Sequence, residues 1–71
     1  MATPRHSVLD VVELLTGSGR WPCGSVGTVV EADDRVALVE FADDRGHALD
    51  FVSLPHDALA AAAERASRAA S

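Results

Sequence analysis

The stretch from Gly24 to Glu31, G-S-V-G-T-V-V-E, restricts the fold of this chain more than any other segment. Gly24 and Gly27 are expected to form a tight turn, because glycine adopts backbone angles that a residue with a Cβ resists. The valines and the threonine that follow are strong strand formers. Apolar segments that resemble strands lie on both sides of this stretch. We therefore predict that it supplies the central strand of a small β-barrel.

The length of the chain limits how it can be stabilised. Its 71 residues make one domain with a thin hydrophobic core, which is marginal by itself. The single cysteine, Cys23, excludes an intramolecular disulfide, and no Cys/His cluster has zinc-ligand spacing. We expect neither a metal nor another cofactor. Stability must then come from a compact barrel, from self-association or from a partner.

Charge and hydropathy exclude some classes of function. The net charge is -5, with six arginines and no lysine, which argues against nucleic-acid binding because phosphate contacts need clustered cations. No apolar run has the length of about 20 residues that crosses a membrane, and no secretory signal begins the chain. The expected location is the cytoplasm, and any partner is expected to carry a basic surface.

Four strands are predicted along the chain after a flexible lead-in at residues 1–7. A helix is the alternative for the first of them, because its apolar residues also fit helical spacing, but its short, β-branched composition favours a strand. Aspartates and Gly46 mark two tight turns that join the last three strands as a meander. The predicted strands are Ser7–Leu15, Val26–Ala32, Arg35–Ala42 and His47–Leu54, and the turns are Asp33–Asp34 and Asp43–Gly46.

The C-terminal part of the sequence predicts helix instead of further strands. Pro55 closes the fourth strand because it cannot donate a backbone hydrogen bond. The segment P-H-D-A-L is expected to form one helical turn that packs Leu59 under the barrel. Alanine dominates from Ala58 onwards and favours a helix, to about Arg68. The predicted organisation is a barrel at residues 8–59 and an alanine-rich, helical tail at residues 60–71.

Alternation along the strands predicts which residues form the core. Side chains two apart on a strand share a face, and the larger apolar residues are assigned to the interior. The predicted core consists of Val12, Val26, Val30, Val39, Phe41, Leu49 and Phe51.

The loop Thr16–Cys23 has unusual chemistry, because the only tryptophan of the chain lies in it. Trp21 folds back as a lid over the barrel, or it forms a partner-binding site with Arg20 and Cys23. Tryptophan and arginine dominate the energetics of protein interfaces, which supports the second interpretation. Partial exposure of Trp21 is expected. Cys23 has no activating base nearby in sequence and is interpreted as a structural or incidental thiol.

No catalytic residue is predicted. His6, His47 and His56 are interpreted as scattered surface histidines. The paired aspartates lie in turns, where they form local hydrogen bonds. The stretch Gly24–Gly27 is not a phosphate-binding loop, because no lysine follows it and it opens a strand.

Four segments taken together resemble a bacterial family of domains of unknown function. They are D-V-V-E-L-L at residues 10–15, G-S-V-G-T-V-V-E at residues 24–31, V-E-F at residues 39–41 and L-P at residues 54–55. Members are short, stand-alone SH3-like barrels, related in fold to the nitrile hydratase β subunit. The resemblance implies an all-β fold with little helix: an SH3-like antiparallel barrel of four or five strands with a short C-terminal helix. It implies no catalytic residues.

Two functions from different classes remain open. The first is a non-catalytic protein-binding module that acts as an accessory subunit or as an antitoxin- or immunity-type partner. The second is a homo-oligomeric structural protein. A small metal-dependent enzyme that uses His47 or His56 is less favoured, because no metal-ligand spacing supports it.

Overall fold

The computed structural model describes residues 6–62 and shows one antiparallel sheet of five strands. Their order in the sheet is β4-β3-β2-β1-β5, so that β2 lies in the middle. This confirms the prediction that the segment following Gly24 supplies the central strand. A single 3₁₀ turn, His56–Ala58, separates the last two strands. The strands are β1 (Val11–Leu14), β2 (Val26–Ala32), β3 (Val36–Ala42), β4 (Ala48–Pro55) and β5 (Leu59–Ala61).

Both predicted aspartate turns are confirmed. Asp33 Oδ1 accepts the backbone N–H groups of Arg35 and Val36, at 2.8 and 2.9 Å. Asp43 Oδ1 accepts those of Arg45 and His47, each at 2.9 Å. The carboxylates replace backbone acceptors at the turns, and β2, β3 and β4 therefore pair as a meander.

The first predicted strand is shorter than the sequence indicated. Residues Ser7 to Asp10 form a turn, closed by a hydrogen bond from Asp10 N–H to the Ser7 carbonyl oxygen at 3.0 Å. Ser7 N–H also donates to Asp10 Oδ2 at 2.8 Å. The strand β1 begins only at Val11, and the helical alternative for this segment is wrong.

The predicted helix from Ala58 is wrong over residues 59–61, which form β5. This strand pairs with β1 in the register Leu14↔Leu59 and Val12↔Ala61. Alanine favours a helix by itself, but the open edge of β1 and the burial of Leu59 outweigh that preference. Residues 63–71 of the predicted tail, like residues 1–5 of the lead-in, lie outside the described residues.

The core lies on one face of the sheet, which we call the inner face. Three predicted core residues, Val12, Val39 and Phe41, are almost completely buried. Three others are exposed, so their assignment was wrong: Val26 at 55%, Leu49 at 50% and Phe51 at 53%. Val30 is half-buried, and the buried apolar set comprises Val12, Leu14, Val29, Ala37, Val39, Phe41, Leu54 and Leu59.

The errors in the core assignment come from choosing the wrong face of β2 and of β4. On β4, Leu54 is buried and Val52 packs against the core, while Phe51, which directly precedes Val52, faces the other way. On β2, Val29 lies on the inner face. Val26 is three residues away on the same strand and therefore lies on the opposite face. Both faces carry large apolar residues, and alternation alone does not say which face is covered.

Gly27 is needed for space and not for a turn, contrary to the prediction. It lies within β2, and a Cβ built on it would be 2.5 Å from Val39 Cγ1 and 2.7 Å from the Glu40 carbonyl oxygen. Gly24 and Gly46 do occupy turns, with φ angles of +90° and +84°. Their predicted role is confirmed.

The sheet is open, whereas a closed barrel was predicted. Its edges are β4 and β5, and no ladder joins these two strands within residues 6–62. With only three residues, β5 offers little backbone for pairing. The inner face is instead covered by side chains that reach it from the β1–β2 loop and from the two ends of the described chain.

Candidate functional site

The β1–β2 loop places Trp21 over the inner face at the β4 edge. Its ring stacks on that of Phe41, with centroids 4.5 Å apart and planes inclined by 17°. Its indole Nε1–H donates to Asp50 Oδ2 at 3.0 Å. Phe51 points away from this position, which leaves the space beside Phe41 for the indole. Trp21 is half-buried, and its predicted partial exposure is confirmed.

Arg20 covers the outside of this stack. Its guanidinium carbon lies 4.8 Å from the centre of the Trp21 ring, and its Nη2 donates to the Leu49 carbonyl oxygen at 3.2 Å. Its Nε lies 3.9 Å from Asp50 Oδ2, a distance typical of a loose ion pair. The side chain remains 61% exposed, so this pair contributes little to stability.

This cluster also covers part of the free edge of β4. The Leu49 carbonyl is bonded to Arg20, and the Phe51 N–H donates to Asp50 Oδ1 at 3.0 Å. The carbonyl of one strand residue and the N–H two residues later point to the same side. Both groups are bonded to side chains, which indicates that they face away from β3. Covered edge groups discourage edge-to-edge pairing with another sheet.

Cys23 lies on the same loop but does not join the cluster in any described contact. It is exposed, and its thiol donates to the Leu15 carbonyl oxygen at 3.3 Å. The structure therefore brings Arg20 and Trp21 together and leaves Cys23 apart. The partner-binding role assigned to these three residues from the sequence stays a prediction.

Two of the three histidines are buried, which corrects their assignment to the surface. His6 is 8% exposed and His56 is 2% exposed, and their rings stack with centroids 5.7 Å apart. They are separated by 50 residues in sequence, and nothing in the local pattern indicates that they meet. His47, in contrast, is exposed beside Asp43.

The hydrogen bonds of the histidine pair identify the ring nitrogen that donates in each histidine. His56 Nδ1 accepts the His6 backbone N–H at 3.0 Å, so its Nε2 carries the proton and donates to the Asp33 carbonyl oxygen, 2.7 Å away. His6 Nε2 lies 3.2 Å from the Leu59 carbonyl oxygen and donates to it. The pair ties the start of the described chain, the β2–β3 turn and β5 together. Its role is structural.

The opposite face of the sheet, which we call the outer face, keeps large apolar side chains exposed. One row across it is fixed by the strand register: Val11, Thr28, Glu40 and Phe51 lie side by side on four strands. Val11 and Phe51 are each about half exposed. Adjacent strands are about 4.8 Å apart, so this row is about 14 Å wide.

The outer face is acidic as well as apolar. Glu13 and Val26 face each other on it, and Glu31 lies opposite Leu38. Three of the four carboxylates in the five described strands, Glu13, Glu31 and Glu40, lie on this face, and these strands contain neither arginine nor lysine. The combination of apolar side chains and one sign of charge distinguishes this face from the inner one.

A shallow, open depression lies at one end of the outer face. Its volume is about 200 Å³. Hydrogen bonds from the Val36 N–H, and then from the Arg35 N–H, lower the pKa of the Asp33 carboxyl below its usual value of 3.8. Its carboxylate is therefore charged at neutral pH. The depression is lined by Glu31, Ala32, Asp33, Val36, Leu38 and Ser53.

Residues 6–62 contain no group of three or more metal-ligating side chains placed to hold an ion. Within the same residues, no helix is both long and apolar enough to cross a membrane. No protein-family model, no curated protein and no solved structure matches the chain.

Proposed function

We propose that the chain is a non-catalytic protein-binding module, and that it docks another protein on its outer face. Within this proposal it serves as an accessory subunit or as an antitoxin- or immunity-type partner in the cytoplasm. The observation that carries the proposal is the row from Val11 to Phe51, whose two apolar end residues stand about half exposed on one face of the sheet. Exposed apolar side chains that share one face with polar ones mark interaction sites.

The charges of the outer face define the chemistry of the partner. Glu40 lies next to Phe51 in the row, and Glu31 and Asp33 line the depression beside Leu38. An arginine or lysine fits such a depression, because its aliphatic stem contacts Leu38 while its charged end meets the carboxylates. The partner that fits is a protein with an apolar patch flanked by basic side chains.

A second copy of the chain fits this face less well, which weighs against the homo-oligomeric alternative. Two outer faces packed together would bring Glu31 and Glu40 of each copy into one apolar interface, without a cation from any described strand. Burying unpaired carboxylates is costly. Pairing through β4 is also discouraged, because Arg20 and Asp50 occupy two of its edge groups.

The resemblance to short SH3-like barrels supports this proposal. We propose that the chain is a variant of that fold, in which the Trp21 and histidine contacts take the place of a complete strand ladder. The short strands, the tight turns and the central glycine-containing strand are consistent with this assignment.

Photo-crosslinking in cells of the source organism tests the proposal. The crosslinking amino acid p-benzoylphenylalanine replaces Phe51 in one variant and Arg45, in the β3–β4 turn, in the control. We expect position 51 to capture one discrete protein that position 45 does not capture. Identical products at both positions would contradict the proposal, and capture of a second copy alone would establish the homo-oligomeric alternative.

The charge of the interface is tested with the captured protein produced recombinantly. Replacing Glu40→Arg is expected to weaken its binding and to reduce the effect of added salt, because exposed charges are screened within about 10 Å at 0.1 M salt. The control Asp44→Arg makes the same charge change in the β3–β4 turn. If both variants bind equally well, the carboxylates of the outer face do not select the partner.

A further inference from the structure

Leu9 combines two unfavourable features in one residue. It is 77% exposed, the largest exposed fraction among the described large apolar side chains. It is also the one residue other than glycine with a positive φ, +77°, in the described part of the chain. A bulky residue rarely adopts this conformation, because its Cβ is brought too close to the following carbonyl oxygen.

The turn that carries Leu9 is held by several backbone contacts. Asp10 N–H closes the turn on the Ser7 carbonyl oxygen, and Leu9 is its third residue. With a positive φ at that position, this is a type II turn, where glycine or asparagine is the favoured residue. Leu9 N–H donates to the Val29 carbonyl oxygen at 2.7 Å, which fixes the turn against β2. The backbone therefore requires the conformation, but nothing in it requires leucine.

The leucine side chain adds little to the fold. Leu9 is absent from the buried core and from the apolar residues packed against it. Backbone strain of this kind is found at functional sites, where the strained residue acts on something outside the fold. Burial of the Leu9 side chain in a complex would explain why a strained backbone position carries an exposed leucine.

The position of the turn connects it with the outer face. Val29 N–H donates to the Asp10 carbonyl oxygen at 2.9 Å, and Val11 follows directly as the first residue of β1. Val11 begins the row that ends at Phe51. The turn thus lies directly before the β1 end of the row in the strand direction, and Val8 in the same turn is also exposed.

We propose that Leu9 is the apolar anchor of the partner interface, held forward by the turn and inserted into an apolar pocket of the partner. This inference rests on the proposed function and names a residue outside the sheet that determines affinity. The partner pocket has the size of one leucine side chain, and the backbone conformation presents that side chain before binding. Preorganisation of this kind lowers the entropic cost of association.

Stability of the isolated chain gives the first test. Replacing Leu9→Asn keeps the turn and relieves the strain, so the midpoint of thermal unfolding should rise by about 4–8 °C. Leu9→Gly is the second variant, with a smaller rise because glycine has more freedom in the unfolded chain. A fall of the midpoint in both variants would show that Leu9 serves the fold, and would overturn the proposal.

Binding gives the second test, with the protein captured through position 51 as the probe. Leu9→Asn should weaken binding by about tenfold or more, the loss expected for a buried leucine. The control Val8→Thr changes the neighbouring apolar residue, whose backbone is not strained. It should alter affinity less than about threefold, which corresponds to about 0.6 kcal/mol of binding free energy. Unchanged affinity in Leu9→Asn, or equal losses in the two variants, would contradict the anchor role.

Crosslinking from both positions separates this inference from the proposed function. With p-benzoylphenylalanine at position 9 and at position 51 in separate variants, capture of the same protein from both supports the two together. Capture from position 51 only leaves the proposed function intact and overturns the anchor. Capture from position 9 only would support Leu9 as the anchor and contradict docking on the outer face. Capture from neither position would contradict both proposals.

Discussion

The inner and outer faces of this sheet are formed by the same strands, yet only one of them is covered. On β3 the inner residues Ala37, Val39 and Phe41 are buried, while Glu40 between the last two belongs to the outer face. On the outer face Val11 and Phe51 remain about half exposed. Both faces carry large apolar residues. The difference comes from the residues outside the sheet that cover the inner face.

Those covering residues come from distant parts of the chain. Trp21 packs on Phe41 from the β1–β2 loop, and the His6–His56 pair joins the two ends of the described chain. They stabilise the inner face and leave the outer face available. The following substitutions separate the two faces by applying matched changes to each.

The largest effect is expected from a matched pair of phenylalanines. Phe41→Ala removes a completely buried ring and should lower the free energy of unfolding by about 3–5 kcal/mol, enough to unfold so small a domain. Phe51→Ala makes the same chemical change on the outer face and should cost less than about 1 kcal/mol, as for other exposed residues. Urea unfolding of both variants measures the difference. Equal losses would show that the two faces are not energetically distinct.

A smaller effect is expected at the cover of the inner face. Trp21→Ala should cost about 2–3 kcal/mol, because it removes the stack on Phe41 and the hydrogen bond to Asp50. Trp21→Phe keeps an aromatic ring but loses the indole N–H and the second ring of the indole, at a cost of at least about 1 kcal/mol. Thermal unfolding followed by circular dichroism gives both values. An alanine variant as stable as the wild type would show that Trp21 does not cover the core.

The histidine pair offers a third comparison. His56→Ala removes an acceptor for the His6 N–H and a donor to Asp33, for a cost of about 2 kcal/mol from two hydrogen bonds. His6→Ala keeps its own backbone N–H bond to His56 and should cost about half as much by the same count. Urea unfolding tests the order of the two. A His6 variant less stable than the His56 variant would contradict the assigned bonds.

The smallest effect is expected at the turns, and only in acid. The His47 N–H, the largest cause, and the Arg45 N–H lower the pKa of Asp43 below its usual 3.8. A lowered pKa means that this carboxylate stabilises the folded state above pH 3.8, and that the contribution is lost as the pH falls through the folded-state pKa. Asp43→Asn should flatten the dependence of the unfolding midpoint on pH in that range. Parallel curves for the variant and the wild type would contradict the assignment.

The strands and turns were largely predictable because their signals are local. The bounds of β2 follow from the valines after Gly24, and the turns follow from Asp33, Asp43 and Gly46. Each of these signals involves residues close in sequence. The chain order therefore predicted the meander correctly.

The choice of face, the strand β5 and the histidine pair were not predictable in the same way. Phe51 and Val52 are both apolar neighbours on β4, and only contacts with distant residues decide which one points inwards. The alanines of β5 favour a helix until the edge of β1 is available to them. His6 and His56 are paired by the fold alone. Of the candidate site, the sequence revealed Arg20 and Trp21 but not Asp50, the outer face or Leu9.

The central claim is that the outer face binds the partner while the Trp21 cover stabilises the fold. It is tested most directly by measuring unfolding free energy and partner affinity together, with the protein captured through position 51. We predict that Phe51→Ser keeps its stability within about 1 kcal/mol and loses affinity at least about tenfold, and that Trp21→Ala loses stability and binds normally per folded molecule. The reverse pattern would contradict the account, and would assign the partner site to the loop that carries Arg20 and Trp21.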